Sequence, residues 1–99
     1  MKTVQLRLYI GGESPRAVRA ATNLRRLCDQ LLGDDWELEV IDVVDRPDMA
    51  EDARIFATPT VVKLAPAPIR RAIGDLSDLQ RLAVALDLES PSGEETPLL

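Results

Sequence analysis

The chain has no histidine and a single cysteine among its 99 residues. A zinc site built from cysteine and histidine ligands cannot be assembled within it. The Ser-His-Asp and Cys-His types of nucleophilic site are excluded for the same reason. One cysteine cannot form an internal disulfide, which is typical of a reducing compartment. We therefore expect no metal and no cofactor.

Aromatic residues are nearly as scarce, because Tyr9, Trp36 and Phe56 are the three that the chain contains. So few rings do not predict a stacking platform for single-stranded nucleic acid, and no nucleic-acid partner is expected. No apolar run approaches the ~20 residues that span a bilayer. The first residues also lack the continuous apolar segment of a signal peptide. The expectation is a cytoplasmic protein without membrane contact.

Charge is distributed unevenly along the chain. The formal net charge is −5, from 12 basic and 17 acidic side chains. Residues 89–99 hold three acids and no base, so residues 1–88 carry 14 acids against 12 bases. The composition of 89–99 is typical of a flexible acidic tail. We predict one folded domain over 1–88 followed by that tail.

The first part of the chain reads as strand, helix, strand. Residues 4–10 alternate between apolar and polar side chains, which indicates a strand. Ser14 is expected to cap a helix that begins at Pro15 and ends at Gly33. A second strand is predicted over 36–44, with its last apolar residues buried. Such a unit predicts two parallel strands. The apolar stripe of the helix is Val18, Ala21, Leu24, Leu27, Cys28 and Leu31.

The second part of the chain predicts a short helix, a hairpin and a last helix. The short helix starts near Pro47, and its apolar stripe is extended to Phe56. Strands over 60–64 and 69–73 form the antiparallel hairpin. Ser77 is the expected cap of the last helix, in a capping box. The order βαβαββα predicts a single α/β domain, a three-layer sandwich with two parallel and two antiparallel strand pairings.

This order is the thioredoxin-like plan, and Thr58-Pro59 lies before the third strand, where proteins of that plan usually hold a cis proline. Thioredoxin-like oxidoreductases carry a Cys-x-x-Cys motif between the first strand and the first helix. Residues 11–14 read Gly-Gly-Glu-Ser instead, so no thiol is present there to attack a disulfide. Cys28 is interpreted as a small buried hydrophobe. The pattern favours a non-enzymatic protein on an enzyme's fold.

Nine segments carry a more specific signal between residues 4 and 88. They are Leu8-Tyr9-Ile10-Gly11-Gly12, Ser14-Pro15, Val18-Arg19-Ala20, Val40-Ile41-Asp42-Val43, Pro47, Ala50-Glu51, Ala57-Thr58-Pro59-Thr60, Pro66-Ala67-Pro68-Ile69-Arg70-Arg71 and Gly74-Asp75-Leu76-Ser77-Asp78. In this order and spacing they resemble the KaiB family of circadian clock proteins.

The resemblance implies a clock adaptor without enzymatic activity. Members of the family bind the hexameric ATPase KaiC, sequester the activator KaiA, and compete with a histidine kinase whose sensor domain is similar to KaiB. The family is metamorphic. A monomeric thioredoxin-like state binds KaiC, and the alternative ground state is a tetramer of βαββααβ order. Switching of this kind requires two packings within a few kcal/mol.

The resemblance also implies which residues meet partners and which take part in fold switching. The expected partner-binding residues are Arg19, Glu39, Asp42, Asp45 and Arg54. Clock members carry lysine where this chain has Glu39 and Asp45, so two charges are reversed against a partner surface built for lysine. The expected fold-switch and cis-proline positions are Pro59, Pro66, Pro68, Gly74 and Asp75.

The segment 79–88 fits both folds of the family. Leu79, Leu82 and Leu86 recur at helical spacing, whereas Leu82, Val84, Leu86 and Leu88 alternate as in a strand. The cap expected at Ser77 favours the helix over the strand by about 1 kcal/mol. We therefore expect the thioredoxin-like state at rest, with the tetramer as the alternative.

Two other functions stay open at this point. One is a KaiB paralogue that acts in a stress response outside the clock. The other is a thioredoxin-fold enzyme that holds glutathione near Ser14 or uses the thiol of Cys28.

Overall fold

The computed structural model describes residues 3–74 and 76–88. Its elements are β1 (Val4–Ile10), α1 (Pro15–Leu32), β2 (Trp36–Asp42), α2 (Pro47–Asp52), β3 (Thr60–Ala65), β4 (Arg70–Ile73) and α3 (Leu79–Ala85). The predicted order βαβαββα is confirmed. The predicted tail over 89–99 and the fold-switch candidate Asp75 lie outside the described residues.

The four strands form one mixed sheet in the order β2-β1-β3-β4. β1 pairs in parallel with β2, while β1–β3 and β3–β4 pair antiparallel. The prediction of two parallel and two antiparallel pairings was wrong, because four strands in an open sheet have three pairings. β2 and β4 are consequently the two edges of the sheet.

Both faces of the sheet are covered, by cores of very different size. The larger core lies between the sheet and the helices α1 and α3, and includes Leu6, Leu8, Leu24, Leu27, Cys28, Val61, Leu82, Leu86 and Leu88. On the opposite face, Met49 and Ala53 pack against Tyr9, Ile41 and Val62. Tyr9 occupies a polar position in the β1 alternation, yet it is 1% exposed. The reason is that α2 and the residues after it cover this second face.

Helix α1 begins as its sequence predicts. The Ser14 hydroxyl accepts a hydrogen bond from the Ala17 N–H at 3.1 Å, and Pro15 occupies the first turn. Gly33 follows the last turn with φ of 61°, a conformation that glycine adopts readily. Val18 is exposed although it belonged to the predicted apolar stripe. The stripe is thus narrower than the sequence pattern suggested.

Two apolar residues that were expected to be buried lie on the surface. Val44 is 71% exposed and Phe56 is 91% exposed. β2 ends at Asp42, so Val44 falls in the following turn rather than in the strand. α2 ends at Asp52, so Phe56 does not continue its apolar stripe. In each case the prediction extended a regular element too far.

Helix α3 is capped one residue later than predicted. The carboxylate of Asp78 accepts a hydrogen bond from the Arg81 N–H at 3.1 Å, and the helix begins at Leu79. The cap is therefore Asp78 and not Ser77, because aspartate caps as well as serine. Residues 79–85 are helical, as the expected thioredoxin-like state requires.

Helix α3 ends in a Schellman turn, and substitutions in this turn test how the end of the helix is held. The N–H of Asp87 donates to the Val84 carbonyl, the N–H of Leu88 donates to the Ala83 carbonyl, and Leu88 enters the larger core. Asp87 has a left-handed φ of 57°, which costs a non-glycine residue about 1 kcal/mol. We expect Asp87→Gly to raise the free energy of unfolding in urea by about 0.5–1 kcal/mol. Asp87→Val should lower the free energy of unfolding. Equal stability of the two variants would contradict the left-handed conformation at position 87.

Candidate partner-binding surface

The predicted partner-binding residues lie on two faces of the molecule. Glu39 and Asp42 belong to β2, and Asp45 and Arg54 flank α2. Arg19 is exposed on α1, which packs against the opposite face of the sheet. The structure therefore brings four of the five candidates to the β2–α2 segment and leaves Arg19 apart from them.

Asp42 organises the end of β2. One carboxylate oxygen, Oδ1, accepts hydrogen bonds from the N–H groups of Gly12 and Val44, each at 3.0 Å. Val43 N–H also donates to the Ile10 carbonyl at 2.8 Å. Asp42 thus joins the loop after β1 to the turn that leads into α2. Its geometry indicates that it positions the neighbouring backbone.

Glu39 is paired within the chain. Its carboxylate accepts a hydrogen bond from Arg7 Nε at 3.0 Å, across the parallel pair of β1 and β2. Exposed pairs of this kind contribute roughly 0–1 kcal/mol to stability. The pair also has an electrostatic effect, because Arg7 offsets part of the negative charge of Glu39.

The end of α2 is held in place from β4. The Arg71 guanidinium donates to the Ala53 carbonyl at 2.9 Å and to the Arg54 carbonyl at 3.2 Å. Arg54 has a left-handed φ of 56°, and its N–H donates to the Glu51 carbonyl. The chain therefore turns sharply after α2. Ile55 then packs into the smaller core, and Phe56 projects from it.

We define the α2 surface as Val44, Asp45, Asp48, Glu51 and Phe56, all exposed. An open cleft of about 580 Å³ lies beside it, lined by Pro47, Asp48, Ala50, Glu51, Arg54, Ile55 and Phe56. Val44 and Phe56 are two large apolar side chains exposed on this surface, and aromatic residues are enriched among the anchors of protein interfaces. Sequence reasoning missed Phe56, because its spacing from Met49 also fits the buried face of a longer helix.

The α2 surface carries acidic charge. Asp45, Asp48 and Glu51 are exposed, and Arg46 and Arg54 are the basic residues nearby in the chain. The ion pair with the Arg46 guanidinium, with Nε–Oδ1 at 3.5 Å, lowers the pKa of the Asp48 carboxyl. Asp48 therefore stays ionised at neutral pH. The electrostatic complement of this surface is a basic partner.

Four of the predicted fold-switch positions belong to the β3–β4 hairpin: Pro59 and Gly74 flank its two ends, and Pro66 and Pro68 lie in the turn between its strands. The Thr58–Pro59, Ala65–Pro66 and Ala67–Pro68 peptide bonds are all cis. Gly74 N–H donates to the Pro59 carbonyl at 2.9 Å, which joins the two ends of the hairpin.

Gly11 keeps the loop after β1 close to this proline. A Cβ atom at Gly11 would lie 2.7 Å from the Thr58 hydroxyl oxygen, a separation that real Cβ atoms do not adopt. The position that holds a cysteine motif in oxidoreductases is therefore packed against the Thr58-Pro59 turn. In the adjoining helix cap, the Ser14 hydroxyl is engaged with Ala17 N–H.

Cys28 is fully buried in the larger core, as predicted. Burial, with a smaller contribution from Asp29, raises the pKa of its thiol to about 12. We expect the native thiol to react with an aromatic disulfide reagent at pH 8 at least about 100-fold more slowly than the same chain unfolded in urea. Absorbance of the released thiolate measures both rates. Fast reaction of the native protein would show an accessible nucleophile and contradict the burial.

Residues 3–74 and 76–88 contain neither a metal-binding cluster nor a membrane-spanning helix. No group of three His, Cys, Asp or Glu side chains in this part of the chain is placed to hold a metal ion. No helix within these ranges has the length and hydropathy needed to cross a membrane.

Comparison with solved structures identifies the fold. The N-terminal domain of Synechococcus elongatus SasA superimposes with a TM-score of 0.73 at 23% identity, covering 98% of this chain and 91% of that one. Mitochondrial thioredoxin 3 from Saccharomyces cerevisiae gives a TM-score of 0.68 at 17% identity, covering 88% and 79%. The fold is therefore thioredoxin-like.

Comparison of sequences identifies the family. The circadian clock protein KaiB3 of Synechocystis sp. is 42% identical over 88 residues, covering 89% of this chain and 86% of the relative. The circadian clock oscillator protein KaiB of Prochlorococcus marinus is 46% identical over 87 residues, covering 88% and 74%. The model of the KaiB domain matches residues 7–88. The chain belongs to the KaiB family.

Proposed function

We propose that the protein is a non-enzymatic adaptor that binds a KaiC-type ATPase through the α2 surface while in its thioredoxin-like state. The observation that carries the proposal is Phe56. It is a large aromatic side chain, almost fully exposed beside an acidic cleft, in a chain that is similar to circadian clock proteins. A single exposed aromatic anchor can supply much of the free energy of an interface.

The geometry around α2 supports a preformed docking element. Arg71 holds the carbonyl end of the helix, and Asp42 holds the turn that precedes it. The docking surface is fixed at both ends, so little conformational freedom is lost when a partner binds. A further partner of the KaiA or sensor-kinase type would have to use a different surface for simultaneous binding, or compete for this one.

The charge of the α2 surface narrows the choice of ATPase. With acids at positions 39, 45, 48 and 51, the matching surface should be basic. An ATPase that offers acidic residues to the lysines of clock members would be repelled. We therefore expect the true partner to be a KaiC-like ATPase with basic residues at the docking site, and the affinity to fall as salt rises.

The experiment is to mix the full chain with each KaiC-like ATPase of the same cell and to measure co-elution on a sizing column. Incubation should last long enough for slow conformational exchange. Co-elution with one of them at about 50 µM of each protein, lost at high salt, is the expected result. Failure with every such ATPase at this concentration would reject the proposal.

A second candidate function is a KaiB paralogue that acts in stress survival. The two reversed charges at Glu39 and Asp45 favour it, because they separate the chain from the lysine pattern of the clock members. Deletion of the gene distinguishes the two functions. A clock role predicts an altered rhythm, and a stress role predicts reduced survival with an unchanged rhythm.

A further inference from the structure

The turn that ends α2 determines the direction of the exposed ring of the α2 surface. The N–H of Arg54 donates to the Glu51 carbonyl at 3.1 Å, and the N–H of Ile55 donates to the Ala50 carbonyl at 2.9 Å. These two bonds form a Schellman turn. Arg54 has a left-handed φ of 56° where glycine is usual, and this conformation is unfavourable for a residue with a Cβ atom. Phe56 follows two residues later.

Helix α2 cannot hold this turn by itself. It has six residues, and none of them is buried. A helix of this length is unstable in water on its own, because its nucleation costs more than so few hydrogen bonds return. Met49, Ala53 and Ile55 supply the contact of this segment with the smaller core. The turn therefore needs support from outside the helix.

Arg71 of β4 supplies that support. Its Nη2 donates to the Ala53 carbonyl at 2.9 Å, and its Nη1 donates to the Arg54 carbonyl at 3.2 Å. The end of a helix leaves carbonyl groups without partners in the helix, and a guanidinium can hold two of them in one planar fork. Arg71 lies on the required side of the sheet, because it is in register with Val62 of the smaller core.

The strand that carries Arg71 is less firmly held than the strands at the centre of the sheet. β4 has four residues and is an edge of the sheet, with β3 as its neighbour in the described part of the chain. Segments with few buried contacts open at lower free energy than the core. Arg71 thus joins the α2 surface to a strand that can loosen while the core stays intact.

Given the binding function proposed for the α2 surface, we propose that Arg71 is a positioning residue that couples the affinity of this surface for its partner to the pairing of β4. Arg71 acts through the turn at Ala53 and Arg54, without contact with the partner. Coupling of binding equilibria is reciprocal, so a partner that binds the α2 surface stabilises β4 by the same free energy.

The sign of the effect separates positioning from direct contact. The α2 surface is acidic and its proposed partner is basic, so an arginine that touched this partner would oppose binding. Direct contact therefore predicts higher affinity for Arg71→Met, whereas positioning predicts affinity that is lower by about tenfold. Arg71→Lys should also weaken binding, because an ammonium group lacks the planar fork that spans both carbonyls. Titration of the KaiC-type ATPase with each variant measures this sign.

Amide hydrogen exchange of the full chain, without any ATPase present, tests the positioning itself. In Arg71→Met the amides of Arg54 and Ile55 should exchange about tenfold faster than in the natural chain, because the turn that protects them is released. The amides of Leu86 and Leu88, which are hydrogen-bonded at the end of α3, are the internal reference and should keep their rates.

Two further variants make the test specific. Arg70→Met is the matched control, because adjacent residues of a strand point to opposite faces of the sheet. It should change the exchange at Arg54 and Ile55 and the affinity by less than about twofold. Arg54→Gly added to Arg71→Met should restore slow exchange at Ile55, since glycine adopts the left-handed conformation readily. A role of Arg71 in the sheet alone would not give this rescue.

Reciprocity is tested with the ATPase bound. Exchange of the β4 amides should slow in the natural chain and should slow less in Arg71→Met. Equal slowing in the two proteins would overturn the coupling, and higher affinity of Arg71→Met would assign the residue to direct contact.

The measurements on the free chain separate this proposal from the proposed function. Unchanged exchange at positions 54 and 55 in Arg71→Met would overturn it, whether or not an ATPase binds. Equal acceleration at the α3 amides would overturn it too, because Arg71 would then support the fold as a whole. If exchange accelerates at 54 and 55 alone and no KaiC-type ATPase binds the natural chain, the positioning is supported and the proposed function fails.

Discussion

Lys63→Met is expected to raise the free energy of unfolding by about 1–3 kcal/mol, the cost of a buried polar group without a hydrogen-bond partner. Lys63 is 2% exposed, and the described residues provide no hydrogen bond or ion pair for its ammonium group. It lies on β3 in register with Leu6 of the larger core and with Arg70 of β4. An ammonium group buried without a partner costs several kcal/mol. Methionine has a similar length and removes that cost.

Urea unfolding of Lys63→Met, Lys63→Gln and Arg70→Met measures the effect. Glutamine removes the charge and keeps a polar group in the core, so its gain should be smaller. Arg70 is the exposed neighbour in register, and its replacement should change stability by less than about 0.5 kcal/mol. A loss of stability in Lys63→Met would show that the ammonium group has a partner beyond residues 3–74 and 76–88.

The burial of Lys63 also affects the fold switching that the resemblance to the family implies. A buried unpaired charge lowers the stability of the thioredoxin-like packing relative to any other packing in which the amine reaches water. Lys63→Met should therefore increase the population of the thioredoxin-like state wherever a second state is present. This makes the variant useful for partner-binding experiments as well.

Phe56→Ala is expected to weaken binding to the KaiC-type partner by about 30-fold or more, which corresponds to about 2 kcal/mol. The same change should leave the free energy of unfolding within about 0.5 kcal/mol, because the ring is 91% exposed and buries almost no surface in the free protein. Loss of binding with unchanged stability is the signature of an interface anchor.

Val84→Ala is the matched control for Phe56→Ala. Val84 is also an exposed apolar residue, but it lies on α3, away from the α2 surface. Isothermal titration of the partner with each variant compares the two positions. Equal affinity of Phe56→Ala and the natural chain would place the interface elsewhere on the molecule.

Much of the fold could be predicted because the local sequence patterns agree on the type and the order of the elements. Alternation in β1, the Ser14 cap with Pro15, and the glycine after α1 fix the first unit without tertiary information. The failures occurred where an element ends. Asp42 stops β2 by accepting two backbone hydrogen bonds, and the left-handed Arg54 turns the chain after α2. Periodicity contains no signal for either event.

The candidate surface was only partly predictable. Resemblance to the family pointed to Glu39, Asp42, Asp45 and Arg54, whereas the exposed ring of Phe56 emerged only from the structure. The burial of Lys63 could not be predicted either, because a lysine between apolar residues of a strand also fits an outward position. Both observations depend on which sheet face α2, α1 and α3 cover, and this is set by tertiary packing.

The central claim is that the α2 surface of the thioredoxin-like state binds a KaiC-type ATPase. Backbone amide spectra of the isotopically labelled chain, recorded while the ATPase is added, test it most directly. Binding through the α2 surface predicts helical shifts over residues 79–85 and signal changes concentrated at residues 44–56, with α3 unaffected. Strand shifts at 79–85 in the complex, or changes confined to residues outside 44–56, would contradict it.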